Sequence, residues 1–499
     1  MGKQISVIID VMSIQKYIYA SNKLKENIGA SSIIEGLFNQ YKYKNNGKYN
    51  ICFEKALENG YEAGGNAILV FDDDKDTVAE TLKEFTLNVL ECYPGIDLGI
   101  GMDCEFDGSN LDKTYRKLQE SKNIFIPISN IPSHGVTAEC NRTGLSAEVY
   151  EDTSYISYSS FSKLKNAKAG NNKMQDILKK NNLGDKYCFT DELDKLGHKK
   201  NEDSHIAFVA IDGNSMSDRF MSQETLEKKK KLSITLRKAV EESFDDLLKI
   251  IDGEFSEIEK EINIESEKGK RILPLRPIVL GGDDVGFICH GSMGVYFAYK
   301  FLKFFENKKV SDGEPISACA GVAIAHAKYP IYRIQKIAEE LLTNAKDKMK
   351  KDKNEGSYID FQMFYSGISG ELSEIRQNHY ENNYGKMYMR PYNIDELEKL
   401  IEPLHDMSEL AESKIKELRA ILSKTTSERK NFLHHMSMRA STEASSDDLN
   451  KKSFLIPKSI LGTDYSDDFY NGQRTPYLDL IELIEILPDY IIKRGRLNG

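Results

Sequence analysis

No run of eighteen apolar residues occurs in this 499-residue sequence, so no segment is long enough to cross a bilayer as a helix. The opening, Met1 to Asp10, lacks both the apolar core and the small-residue cleavage pattern of a secretory signal. The seven cysteines stand at 52, 92, 104, 140, 188, 289 and 319, no two of them two to four residues apart. That spacing indicates neither a zinc knuckle nor the disulfide framework of a secreted domain. Positive charge is not in excess either. With 78 acidic against 68 basic side chains, the formal charge of −10 argues against a basic nucleic-acid surface overall. The local runs Lys228–Lys231 and Lys348–Lys353 read as solvated helix ends. These absences together predict a cytoplasmic protein with no membrane partner.

What is present is enough apolar material for real cores, 40% of residues against 29% charged, in a length that implies three or four domains. The most informative segment is Ile278–Phe287, IVLGGDDVGF. Val, Ile and Leu favour extended strands, and Gly281 and Gly282 permit a tight turn that branched residues refuse. The expected product is a hairpin tip presenting Asp283 and Asp284. Adjacent carboxylates with no lysine or arginine beside them repel, and a divalent cation relieves the repulsion. A second acidic strand end lies within His205–Phe220. Ile206–Ile211 is apolar throughout, as a strand buried on both faces requires, and it runs into Asp212-Gly213-Asn214. If the two segments are neighbours, Asp212, Asp283 and Asp284 converge as hard oxygen ligands suited to one or two Mg²⁺ or Mn²⁺ ions.

Asp212-Gly213-Asn214, the Gly281-Gly282-Asp283-Asp284 tip and Ala320–His326, with Tyr329-Pro330 behind it, resemble the second palm domain of Cas10-type proteins. These are the Csm1 or Cmr2 large subunits of type III CRISPR effector complexes. The resemblance implies an α+β chain with two ferredoxin-like palms, of the kind found in nucleotidyl and diguanylate cyclases, and a helical C-terminal domain. It implies a nucleotidyltransferase that joins ATP into cyclic oligoadenylate messengers for antiviral defence, by two-metal phosphoryl transfer. Asp212, Asp283 and Asp284 would then be the catalytic, metal-binding residues. Gly213, Asn214, Gly281 and Gly282 would lie against the nucleotide. Lys346, on the helix after Leu341 and Leu342, would reach back over the sheet toward a phosphate. The partners implied are crRNA-bearing and small helical subunits, with target RNA as activator; a stand-alone relative would instead form a homo-oligomer. Two rivals stay open: a diguanylate-cyclase-like enzyme using GTP, and a nucleotide-binding scaffold subunit.

The front half repeats the pattern in worn form. Ile5–Val11 reads as a strand with Asp10 near its end, Gly29–Ser32 as the opening of a helix, and Ala63-Gly64-Gly65-Asn66-Ala67 as the matching hairpin. Setting Asn66 against Asp283 and Ala67 against Asp284 leaves Asp10 without partners, so this palm is expected to be structural or nucleotide-binding. Asp72–Asp74 reads as an exposed acidic loop. Ala138–Ala147 resembles the outline of the family's zinc element, but with Cys140 as its one thiolate and Thr143 where another would serve, no zinc is expected. The chain is expected to begin directly with the first palm, without an HD nuclease domain, and His405-Asp406 reads as a chance dipeptide. The expected division is a first palm at 1–120, a connecting region at 121–203, a catalytic palm at 204–365 and helices at 366–499. Within the catalytic palm, a helix over Leu226–Ile250 is expected to give way to an exposed excursion at 252–270.

Overall fold

The structure, a computed structural model, describes residues 4–38, 53–108, 110–124, 138–196, 198–199, 204–365, 370–408, 410–443, 465, 468–495 and 497. Two sheets with the same antiparallel four-stranded core organise it, and the second is extended by one strand in parallel, Tyr358–Met363 against Ala318–His326. In the first, the strands run in the order Tyr61–Ala63, Asn66–Phe71, Gln4–Met12, Asp97–Phe106. In the second, the order is Leu275–Gly281, Asp284–His290, His205–Gly213, Ala318–His326, extended by Tyr358–Met363 and Tyr392–Asn393. Each sheet places its first strand between its third and fourth, with helices as crossovers, which is the ferredoxin-like arrangement expected. The chain is α+β, with two such palms followed by a mainly helical C-terminal part.

Alternation explains which face of each strand goes where. In the second sheet Ala207, Val209 and Ile211 pack with Leu232, Leu236, Phe244 and Phe297 of the crossover helices. Ile206, Phe208 and Ala210 point the other way and share a core with the first palm, including Tyr19, Ile28 and Ile34. The palms therefore face one another through apolar surface, and Tyr19 meets Phe208 edge-on at 5.2 Å between ring centroids. Polar clamps flank this seam. Lys230 Nζ donates to Glu58 O at 2.6 Å, and Arg237 pairs with Glu62 at 3.3 Å.

Three expectations need correction. Gly29 does not open a helix but lies inside Leu24–Gly36, where a Cβ would sit 1.8 Å from the Lys163 carbonyl oxygen. The partner at that crossing is Tyr158–Lys180, a 23-residue helix in what was expected to be a mere connector. It packs on the first palm near Ala167, while Met174 and Leu178 enter the core of the second. The excursion at 252–270 is the third. The helix runs on from Leu226 to Glu261, because Ile251, Phe255, Ile258 and Ile262 continue its buried stripe at spacings of four, three and four.

The acidic loop is where it was expected. Asp72–Asp74 is exposed, and Asp74 caps the helix Lys75–Cys92 by accepting from the Asp76 and Thr77 amides, both at 3.0 Å. His405 Nδ1 lies 3.2 Å from Ile492 O, a structural contact. Around Cys140, Thr143 uses its hydroxyl in a hydrogen bond with Ser157 at 3.2 Å. Among the described residues no helix is long and apolar enough to cross a membrane.

Candidate active site

The hairpin closes on the pair Gly281 and Asp284, so its two turn residues are Gly282 and Asp283. Gly282 takes φ +63° and Asp283 an ordinary negative φ, the pattern of a type II′ turn. Gly281 is thus the last strand residue rather than part of the turn, and open space lies where its Cβ would be. Asp284 opens the next strand and stands directly opposite Asp212 on the central strand. Gly213 lets this end close: a Cβ there would fall 3.0 Å from Asp283 Cβ and 2.8 Å from Met216 Cε.

Lys346 is not free above the sheet. Its ammonium is paired with Asp212 Oδ2 and lies 3.5 Å from Gly213 O. Its position follows from a glycine on the fourth strand. A Cβ on Gly321 would stand 2.0 Å from Ala338 O and 2.4 Å from Leu342 N, so the helix Ile331–Asp352 presses onto the strand there. One turn beyond Leu342, Lys346 projects over the acidic strand end. Burial, then the Lys350 ammonium, pull its pKa down to about 8. Asn214, expected at the nucleotide, donates instead to Ser317 Oγ at 2.9 Å and to Gly356 O at 3.4 Å. It ties the strand end to the neighbouring loop.

Among the described residues, Asp283 and Asp284 are in no ion pair. Burial pushes Asp283 above the ordinary carboxylate range; Asp284 is pushed up to about 7 by burial, then by Asp283, then by Glu339. The Asp284 side chain is exposed to a cleft between the palms, yet the cleft walls crowd its carboxyl and lower the local dielectric. That cleft has a volume of about 760 Å³, within the range of small-molecule sites, and is walled by Asp10, Asn66 and Lys122 from one palm and Phe220, Asp283 and Asp284 from the other. A smaller pocket of about 230 Å³, on which Asp284 also opens, lies between Ile34, Phe38 and Val279.

Sequence reasoning missed two residues here. Glu339 lies seven positions before Lys346, two turns along the same helix face, and that spacing would have found it. Tyr19 comes from the first palm and is sunk beside Glu339 and Asp284; burial, then those two acids, raise its pKa well above the ordinary phenol value. Gly286 makes room for it, since a Cβ would lie 3.1 Å from the Tyr19 hydroxyl.

The first palm repeats this site with changed residues. Its hairpin closes on Ala63 and Asn66, so Gly64 and Gly65 are the turn and Asn66 stands opposite Asp10, as Asp284 stands opposite Asp212. The expected match is corrected by one residue: Gly65 corresponds to Asp283, Asn66 to Asp284 and Ala67 to Val285. The correspondence reaches further. Ser13 and Ser215, each three residues after the aspartate, are both left-handed, with φ +55° and +56°. Gly101 meets Leu118 of the helix Asp112–Ile124 as Gly321 meets Leu342. One turn on, Lys122 is paired with Asp10. Asp10 thus has a cation beside it but, as expected, no carboxylate partner on the hairpin, where Gly65 and Asn66 stand.

A divalent cation fits Asp283 and Asp284 by chemistry, since both offer hard oxygens and a bound cation would offset the cost of ionising carboxyls that burial holds above their ordinary range. Asp212 would complete the set only after parting from Lys346. Among the described residues no three His, Cys, Asp or Glu side chains stand together as a metal would hold them.

Comparison with known proteins bears on this geometry. Residues 205–355 match the family model of the Cas10/Cmr2 second palm domain. Among solved structures, Csm1 of T. onnurineus is similar with a TM-score of 0.52 and 13% identity, covering 99% of this chain and 70% of that one. The Csm1–Csm4 cassette in complex with cA3 is similar with a TM-score of 0.51 and 12% identity, again over 99% of this chain and 70% of that one. The cassette in complex with AMPPNP gives 0.50 and 13%, with the same coverages. No match was found among curated proteins. Residues 205–355 are thus a second palm domain of the Cas10/Cmr2 family, carried in a chain whose fold is that of Csm1.

Proposed function

We propose that the chain is a nucleotidyltransferase that joins ATP units into a cyclic oligoadenylate, acting as the large subunit of a type III CRISPR complex. The observation that carries this reading is the pairing of Asp284 with Asp212 at the rim of the inter-palm cleft, beside Asp283, with two of the three carboxyls short of a counter-ion. A scaffold has no use for such a cluster, which costs stability at neutral pH. The structures that share the fold support the substrate: cassettes of Csm1 and Csm4 have been solved with cA3, cA4, AMPPNP and pppApApA. They also support a Csm4-like partner for this chain.

In this reading Asp283 and Asp284 would hold Mg²⁺, joined by Asp212 once it parts from Lys346. The cation, when bound, supplies a lowered pKa for the attacking ribose hydroxyl and neutralises the triphosphate. The chain's own residues do the rest. Gly281, with no Cβ and open space before it, allows a phosphate to approach the backbone, and Gly282 shapes the turn that aims both carboxyls at the cleft. The first palm supplies the opposite wall, where Gly65 and Asn66 stand at the places of Asp283 and Asp284 and offer no carboxylate; it orients a nucleotide and performs no transfer. The division at 1–120, 121–203, 204–365 and 366–499 is proposed on the same basis, with the last part meeting other subunits.

The test is to incubate the full chain, alone and with a Csm4-like partner and target RNA, with each of the four triphosphates and Mg²⁺, and to resolve products by mass. Cyclic or linear oligoadenylates are expected from ATP. Consumption of GTP alone would transfer the assignment to a diguanylate-cyclase-like enzyme, and survival of all four under every condition would end the enzymatic reading.

A further inference from the structure

Asp212, Asp283 and Asp284 lie at one end of the second palm's sheet, and the Lys346 ammonium is paired with Asp212. Among the described residues Asp284, directly opposite Asp212 on the next strand, and its neighbour Asp283 make no ion pair. We infer that Lys346 is an internal counter-cation for Asp212, which gives it up to a divalent cation and moves to the phosphates of an arriving nucleoside triphosphate. The inference rests on the nucleotidyltransferase reading above and concerns how that site is loaded.

The arrangement suits an exchange. The backbone of Lys346 is fixed by the packing of Leu342 on Gly321, so only the four-carbon stem has to swing. The side chain retains about a quarter of its accessible surface, leaving it a path. A lysine ammonium and a divalent ion repel when they share one carboxylate at contact distance. A metal arriving alone must therefore displace Lys346 with nothing to receive it. A triphosphate provides the second partner, so metal and nucleotide each favour the other's binding. The first palm supplies the comparison within the same molecule. Lys122 covers Asp10 in the same way, but the adjoining positions are Gly65 and Asn66. Nothing there would draw a divalent ion, and the pair has no exchange to make.

The experiment measures Mn²⁺ affinity of the full chain by electron paramagnetic resonance, with and without AMPPNP. Wild type should bind Mn²⁺ weakly alone and more tightly with AMPPNP. Lys346→Met should bind Mn²⁺ alone about tenfold more tightly than wild type and lose most of the enhancement by AMPPNP, an effect within the usual span of coupling between sites. Asp212→Asn guards against a misfolded first variant. It frees Lys346, so AMPPNP should bind more tightly than to wild type in the presence of a chelator. Unchanged or weaker Mn²⁺ binding by Lys346→Met, with the AMPPNP enhancement intact, would overturn the exchange while leaving the proposed function standing. So would unchanged metal-free AMPPNP binding by Asp212→Asn. If wild type takes up no Mn²⁺ even with AMPPNP, the function itself fails and the exchange falls with it.

Discussion

Gly282 faces Gly64 across the inter-palm seam: a Cβ on Gly282 would lie 3.8 Å from the Gly64 Cα. The two hairpin tips thus approach through glycine, both in the left-handed region, at φ +63° and +55°. Contact at 3.8 Å is tolerable, so the backbone angle is what demands glycine at 282. Gly282→Ala should destabilise the chain by about 1–2 kcal/mol, the usual cost of an L-residue held left-handed. Gly281→Ala, with ordinary φ and open space, should change stability by less than ~0.5 kcal/mol. Thermal unfolding of the two variants separates the turn residue from the strand residue.

Replacing Asp283 and Asp284 together with alanine should abolish product formation while raising the metal-free melting temperature, because a repelling, partly desolvated pair is removed. Product analysis and calorimetry on the same preparation check both halves. A loss of folding would instead show that the pair is needed structurally.

The pH dependence has a definite sign. The folded-state pKa of Asp284, about 7, lies above that of an unfolded aspartate, so the folded chain binds this proton more tightly. The stabilisation is complete below the unfolded value and is lost as pH rises through about 7. Without metal, the melting temperature should therefore fall between about pH 4 and pH 7, and the slope should flatten in Asp284→Asn. Saturating Mn²⁺ should also flatten it. An identical slope in wild type and variant would assign the titration to another group.

Tyr19 joins the palms from below the site. Tyr19→Ala should cost about 3–5 kcal/mol through the cavity left against Phe208 and Gly286. Urea denaturation provides the measurement.

Farther along, Arg390 is fully buried between the second sheet and the C-terminal helix Tyr477–Ile486, 2.5 Å from Glu482 and 3.4 Å from Asp479. Arg390→Met strands both acids and should cost about 3–5 kcal/mol, again by denaturation. A cost under 1 kcal/mol would mean that the Tyr380 and Tyr392 hydroxyls, each 2.6 Å from one of these carboxylates, suffice to hold them.

Much of this was legible in the residues. The apolar run Ile206–Ile211 announced a strand buried on both faces, and the IVLGGDDVGF pattern announced the hairpin with its carboxylates. What escaped reading was geometry that spacing does not carry. The turn falls on Gly282-Asp283 in one palm and on Gly64-Gly65 in the other, and no local signal separates those frames from a shift by one. The partners of Asp10 and Asp212 were hidden because they arrive from 112 and 134 residues away. They are placed by a strand glycine that looks ordinary in sequence. The far end of the long helix is hard to read in the residues because Phe255 and Ile258 stand among charged neighbours.

Gly65 has one more consequence. It adopts φ +91°, and a Cβ on it would stand 2.4 Å from Ile14 Cδ1. Building a matching pair of carboxylates into the first palm thus asks for more than Gly65→Asp and Asn66→Asp. The turn would have to change type, and Ile14 would have to vacate the space. The two hairpin tips differ in the main chain as well as in the side chains, so exchanging two residues would not turn one into a copy of the other.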